Sequence, residues 1–216
     1  VEAGFTESEM AVELARFAHG ARWMVDYEAE RRAQGQLPIL AALETRGEIS
    51  FPAGNARFTL SATPDRIDQA PEGYVILDYK TGTVPSEPSV TAGFSPQLTL
   101  TGAILSSGGF AAVPKGPIHR YRYIAVKGTK TPGGAVEIPG FDGKKKQVRG
   151  DPEEMHAKAL ERLKRYAAKF ADLEQPYRSQ PRRQFVNEYG DYDHLARRSE
   201  WSTAPDADNR DAEDGA

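Results

Sequence analysis

Apolar residues recur at spacings of three and four from Met10 through Leu14, Phe17 and Ala21 to Met24, which predicts a helix with one apolar face. Thr6 and Glu9 form a capping box ahead of it, and the helix is expected to run to about Ala33, before Gly35. Leu37 to Phe51 reads as a strand, Pro52-Ala53-Gly54-Asn55 as a turn, and Ala56 to Ala62 as a second strand. In that second strand Phe58 and Leu60 alternate with Arg57, Thr59 and Ser61, so one face is expected to be buried. Asp65 closes this strand ahead of a Gln69-to-Gly73 turn, and the unbroken apolar run Val75-Ile76-Leu77 predicts a buried strand. A loop from Thr81 to Gly93 follows. Ser95 as N-cap and Pro96 at the first helical position then open a helix ending near Gly108, with Gln97, Thr101 and Ile104 on one face. Ile118 to Val126 is a further strand, and Lys127 to Gly150, rich in Gly, Pro and Lys, reads as a mobile hairpin or loop. Asp151-Pro152-Glu153-Glu154 starts a last helix with Leu160, Leu163, Ala167 and Phe170 as its buried stripe. Tyr189 to Trp201 is expected to pack back on the core, with His194 as a packing residue. The order is helix, three strands, helix, strand.

With 216 residues the chain can bury a substantial core, and the simplest division is one domain over 1–202 and an acidic, disordered tail over 203–216. The first residue is Val rather than Met, so the chain is expected to be a fragment of a larger one. No apolar run is long enough to span a membrane and no signal peptide opens the chain; with zero cysteines, a cytoplasmic location is the expectation. The missing cysteines also exclude disulfides, zinc–thiolate sites and a thiolate-held iron–sulfur cluster. The net charge of −3 is uneven: the tail from Thr203 carries about −4, whereas Lys115 to Arg149 holds nine Lys or Arg against Glu137 and Asp142. A basic stretch of this kind fits a polyanionic partner, DNA included, and equally a solvated loop; Lys144, Lys145 and Lys146 are its candidate DNA contacts.

Asp78 and Lys80 stand two apart at the end of the predicted strand, so their side chains share one face of the pleat. A hairpin across the Gln69-to-Gly73 turn would bring Asp65 beside Asp78. Two carboxylates with room for water suit Mg²⁺, and an adjacent lysine can orient or deprotonate an attacking water. The plainer reading makes Asp78 and Lys80 an idle ion pair at a hairpin end. No nucleophile-elbow or Gly-rich phosphate-loop pattern occurs.

Asp65, Asp78-Tyr79-Lys80 and Gln97 together resemble the PD-(D/E)xK nuclease superfamily, in its RecB-like branch. Gly82 after Lys80-Thr81, Ser95-Pro96-Gln97-Leu98 and the run Tyr189-Gly190-Asp191-Tyr192-Asp193-His194-Leu195-Ala196 narrow the resemblance. They are similar to the C-terminal nuclease domain of AddB-type subunits of alphaproteobacterial helicase-nucleases. The resemblance implies an α/β, restriction-endonuclease-like core with a C-terminal helical extension. It also implies Mg²⁺ or Mn²⁺ held by Asp65, Asp78 and the Tyr79 carbonyl, Lys80 as the group acting on water, and Gln97 as the residue placing substrate or water. Exonuclease action at DNA double-strand breaks beside an AddA-type helicase subunit follows from the same likeness. The alternative is a catalytically silent relative that grips DNA or a subunit. The chain departs from the branch in two places: Thr101 stands where the family's Gln-x-x-x-Tyr has tyrosine, and the four cluster cysteines are missing. His19, nearly opposite the apolar stripe of its helix, reads as solvent-facing and is kept out of the site. Glu44 reads equally as an outward strand glutamate or an accessory acid, and Arg66 with Asp68 as an ion pair that stiffens the site.

Overall fold

The computed structural model describes residues 6–33, 39–142, 144 and 147–175. The chain divides into two compact units, Val1–Asp172 and Leu173–Ala216, and every element named below lies in the first. The boundary expected at residue 202, the acidic tail, the Tyr189–Trp201 segment with His194, and Lys145 and Lys146 lie outside the described residues.

Helix α1 (Glu7–Ala33) begins as its capping residues dictate, with Thr6 N–H donating to Glu9 Oε2 at 2.8 Å and Glu9 N–H to Thr6 Oγ1 at 3.3 Å. Its apolar face is not buried along its whole length. Met10, Leu14 and Phe17 are 52%, 61% and 75% exposed, because among the described residues the sheet lies only under the second half, where Trp23, Met24 and Tyr27 pack.

The expected strand from Leu37 to Phe51 is two strands in two sheets. β1 (Ile39–Leu43) and β2 (Gly47–Ala53) are separated at Glu44, whose φ of 41° breaks the extended path. β2 pairs antiparallel with β3 (Ala56–Ala62) as a two-stranded ribbon. Phe58 stays 37% exposed, stacked on Phe51 at 5.3 Å, so the inward face expected for β3 is only partly covered. The turn expected over Gln69 to Gly73 is tighter than read: the chain reverses at Pro71-Glu72, between β4 (Arg66–Ala70) and β5 (Gly73–Lys80). The loop after Lys80 contains a short helix, α2 (Glu87–Ala92). Helix α3 (Gln97–Ser106) starts one residue later than expected: Ser95 Oγ faces Ser89 Oγ at 3.2 Å, and Pro96 takes the cap position without a side-chain bond. β6 (Ile118–Val126) keeps its expected bounds. The segment read as a hairpin or loop after it contributes an edge strand, β7 (Gly133–Ile138), and a small antiparallel pair, β8 (Phe141–Asp142) with β9 (Gln147–Val148).

The main sheet has the order β1-β4-β5-β6-β7, antiparallel except for the parallel pair β5–β6. A parallel neighbour requires a crossover, and α3 supplies it. One face carries the core of Ile67, Ile76, Leu98, Ile104, Leu105, Tyr121 and Tyr123; the other carries Val75, Leu77 and Ile124 beneath α1. Within the main sheet this is the expected α/β core order, with the β2–β3 ribbon inserted between β1 and β4.

Helix α4 (Pro152–Phe170) starts as read from the sequence, with Asp151 Oδ1 accepting from Glu153 N–H at 3.0 Å. Its expected stripe is only half-buried, and Phe170 is 41% exposed. The residue it buries is His156, whose Nδ1 lies 3.2 Å from Tyr121 Oη and whose Nε2 lies 3.1 Å from Ser106 Oγ, while Glu153 Oε1 accepts from Ile118 N–H at 2.8 Å. Gly102 is the point of closest approach of α3 to β6: a Cβ there would sit 2.4 Å from Tyr121 Oη.

Candidate active site

β5 is buried along most of its length, and its Asp78 and Lys80 emerge at the C-terminal end beside parallel β6, on the face covered by α3. Register supplies the second carboxylate. Arg66 pairs with Leu77, so Asp65 sits one step beyond, opposite Asp78, and its Oδ2 accepts the Tyr79 N–H at 2.7 Å. The N-terminus of α3 supplies Gln97. Its Nε2 donates to Asp78 Oδ1 at 2.6 Å, and its Oε1 accepts from Lys80 Nζ at 3.1 Å. Lys80 Nζ closes a triangle by lying 2.7 Å from Asp78 Oδ2. Asp65, Asp78, Lys80 and Gln97 are therefore brought together from β4's entry, β5 and α3, and Tyr79 stands between the last two strand residues.

Burial raises the Asp78 pKa and the negative charge of Asp65 adds to it, while Lys80 and Gln97 pull the other way. Asp78 Oδ2 is buried against the Lys80 ammonium, 2.7 Å away. Two carboxylates side by side are a donor set for a hard cation. Among the described residues no three His, Cys, Asp or Glu side chains gather to hold a metal. A cation here would rest on the Asp65 and Asp78 carboxylates and keep several waters, which is the habit of Mg²⁺.

The other expected residues fall outside this cluster. Thr101 is buried and its hydroxyl donates to the Gln97 carbonyl at 2.8 Å, so it braces α3 instead of facing a substrate. Glu44 is exposed, not mid-strand; its backbone N–H donates to the Asp65 carbonyl at 3.2 Å. His19 is exposed, as is Lys144, whose N–H donates to Asp142 Oδ1 at 3.0 Å.

Two supports back the cluster; the Arg66–Asp68 pair is expected from the sequence, whereas its links to Glu28 and Arg31 of α1, and the place of Tyr123, are not. On the α1 face, Arg66 Nε donates to the wholly buried Asp68 at 2.6 Å, and Glu28 Oε1 on α1 accepts from Arg66 at 3.3 Å and from Arg31 at 3.0 Å. This charged seam fixes α1 against β4 and β5 directly behind Tyr79. On the α3 face, Tyr123 of β6 is the register partner of Asp78, and its ring lies 5.9 Å from Lys80 Nζ. Burial, with Asp78 nearby, pushes the Tyr123 hydroxyl up to about 12. The alternation of Tyr121 and Tyr123 is plain in the sequence, but only the parallel register sets Tyr123 beside Asp78.

Residues 2–190 match the family model of the PD-(D/E)XK nuclease superfamily. The chain belongs to this superfamily. The restriction-endonuclease-like α/β core fits that membership, and PD-(D/E)XK nucleases typically use Mg²⁺ or Mn²⁺. Among curated proteins, the chain is similar to an uncharacterized protein of Rickettsia felis, 35% identical over 68 residues, covering 31% of this chain and 8% of the relative. It is also similar to one of Rickettsia bellii, 31% identical over 85 residues, covering 39% of this chain and 10% of the relative. The matched part is thus about a tenth of the length of these relatives or less. The crystal structure of SSO0001 matches with a TM-score of 0.31 and 11% identity over 67% of this chain and 57% of that one, a likeness too distant to build on. Among the described residues no helix of the PD-(D/E)XK chain is long and apolar enough to cross a membrane.

Proposed function

We propose that this PD-(D/E)XK chain is a Mg²⁺-dependent deoxyribonuclease of exonuclease type, working in DNA double-strand break processing as part of a helicase-nuclease with an AddA-type subunit. The observation that carries the chemical part is the closed triangle of Asp78, Lys80 and Gln97 beside Asp65 at the open end of β5. The biological part is supported by the AddB-like motifs alone.

Asp65, Asp78 and the Tyr79 carbonyl would hold the metal. Bound there, Mg²⁺ would neutralise charge on the phosphodiester and make a water more acidic. Lys80, tethered by Gln97 and Asp78, orients the attacking water in line with the scissile bond and balances charge on the phosphate. Gln97 fixes Asp78 through Nε2 and Lys80 through Oε1, so both reacting groups are aimed by one side chain. The Arg66–Asp68–Glu28 seam holds β4 and β5 still behind them.

The test is digestion of end-labelled linear DNA, single- and double-stranded, against covalently closed circles, with and without an AddA-type subunit. Stepwise loss of the linear forms with the circles intact supports exonuclease action. Cut circles would make the chain an endonuclease. Activity indifferent to the subunit would remove the proposed partner, and binding without cutting would favour the silent relative.

A further inference from the structure

Asp78 and Tyr123 are register partners on the parallel strands β5 and β6, and both side chains leave the sheet on the face that α3 covers. Tyr123 is wholly buried, and its hydroxyl has no hydrogen-bond partner. Asp78 Oδ2 is buried as well, and the partner it has is the Lys80 ammonium at 2.7 Å. A donor without an acceptor thus stands at the register position beside a carboxylate oxygen whose partner is the Lys80 ammonium. Native interiors leave few such groups, and each one calls for a reason. Packing offers none for the hydroxyl, because phenylalanine would fill nearly the same space without burying an unpaired oxygen. The Tyr123 ring meanwhile lies 5.9 Å from Lys80 Nζ, close enough to attract the ammonium.

We infer that Tyr123 is a positioning residue of this site: its hydroxyl, directly or through one water, holds Asp78 Oδ2 in place when Lys80 turns from the carboxylate to the substrate. Without a second donor, that turn would leave the buried oxygen with no hydrogen bond from the protein, and Gln97 alone would fix the carboxylate's rotation about its bond to Cβ. With it, Asp78 keeps Gln97 on one oxygen and Tyr123 on the other while Lys80 works. The inference rests on the nuclease reading above.

The experiment compares wild type, Tyr123→Phe and Asp78→Ala by Mn²⁺ calorimetry, thermal midpoint, and kcat and KM for DNA. Tyr123→Phe is expected to lower Mn²⁺ affinity and kcat by ~10-fold or more, the usual effect of losing an outer partner of a metal ligand. Its KM stays unchanged, and its thermal midpoint is equal to or above that of wild type. Wild-type metal affinity and kcat in Tyr123→Phe would overturn the inference. So would a fall in thermal midpoint alongside the other losses, which would make the hydroxyl a part of the fold. If wild type binds no Mn²⁺, or Asp78→Ala binds and cuts as wild type does, the nuclease reading itself fails and takes the inference with it.

Discussion

Gln97 donates to Asp78 at 2.6 Å across a separation of 19 residues, which locks the first turn of α3 to the end of β5. Gln97→Ala is expected to lower kcat ~10–100-fold with little change in stability, since Gln97 is exposed. Gln97→Glu should be worse, because it sets a second carboxylate against Asp78 Oδ1 where a donor stood. Steady-state kinetics on a short labelled duplex check the order; a Glu variant more active than the Ala variant would contradict it.

Asp65 does two things that substitution can separate. Its Oδ2 accepts the Tyr79 N–H at 2.7 Å, and its charge adds to that of Asp78. Asp65→Asn keeps an oxygen for the amide, so the fold should hold while Mn²⁺ binding and cutting are lost. Asp65→Ala strips the amide of its acceptor and should cost a further ~1–3 kcal/mol of stability in urea unfolding. Equal stability of the two variants would show that the amide bond is unimportant.

Asp68 is wholly buried between Arg66 at 2.6 Å and Arg31 at 3.9 Å. Asp68→Ala leaves two guanidinium groups without their shared carboxylate, for an expected loss of ~3–5 kcal/mol. Because the seam backs β5, the variant should also lose metal affinity under conditions where it remains folded. Urea unfolding and Mn²⁺ calorimetry measure the two effects.

His156 makes stability depend on pH. Burial pushes its pKa below the ordinary 6.5, opposed by the charges of Glu153 and Asp151 and by a backbone hydrogen bond. The unfolded chain therefore takes up the proton first as pH falls. Stability present above about 6.5 is lost as pH descends from there through the lowered folded-state value. Thermal midpoints should decline over that interval in wild type and less steeply in His156→Gln, which starts lower at neutral pH because it loses the packing between Tyr121 and Ser106. Parallel slopes in the two proteins would contradict this.

The parts legible in the sequence are those whose cause is local. The reciprocal bonds of Thr6 and Glu9 announce α1, Asp151-Pro152 announces α4, and the unbroken Val75-Ile76-Leu77 run marks β5 as buried on both faces. The reversal expected over Gln69 to Gly73 is there at Pro71-Glu72, but Gln69 and Ala70 before it belong to β4; Asp68 is tolerated inside because Arg66, two residues earlier on the same strand, and Arg31 of α1 both meet it. β7, opening Gly133-Gly134, carries a loop's composition and becomes a strand by pairing with β6. Periodicity placed Met10, Leu14 and Phe17 on one side of α1, but a face can be apolar without anything described lying over it. In the candidate site, Asp78 and Lys80 follow from the pleat, and a hairpin brings in Asp65. The place of Tyr123 depends on the register between β5 and β6, which is set 45 residues away across a crossover helix and leaves no mark in either strand.

The most direct measurement is cleavage of end-labelled DNA, with Mg²⁺ or with EDTA, by the unmodified chain, Asp78→Ala and Lys80→Ala. The geometry predicts cutting that needs Mg²⁺ and disappears in both variants, since each removes one corner of the triangle with Gln97. Cutting that persists in both variants would place the chemistry elsewhere and contradict the site.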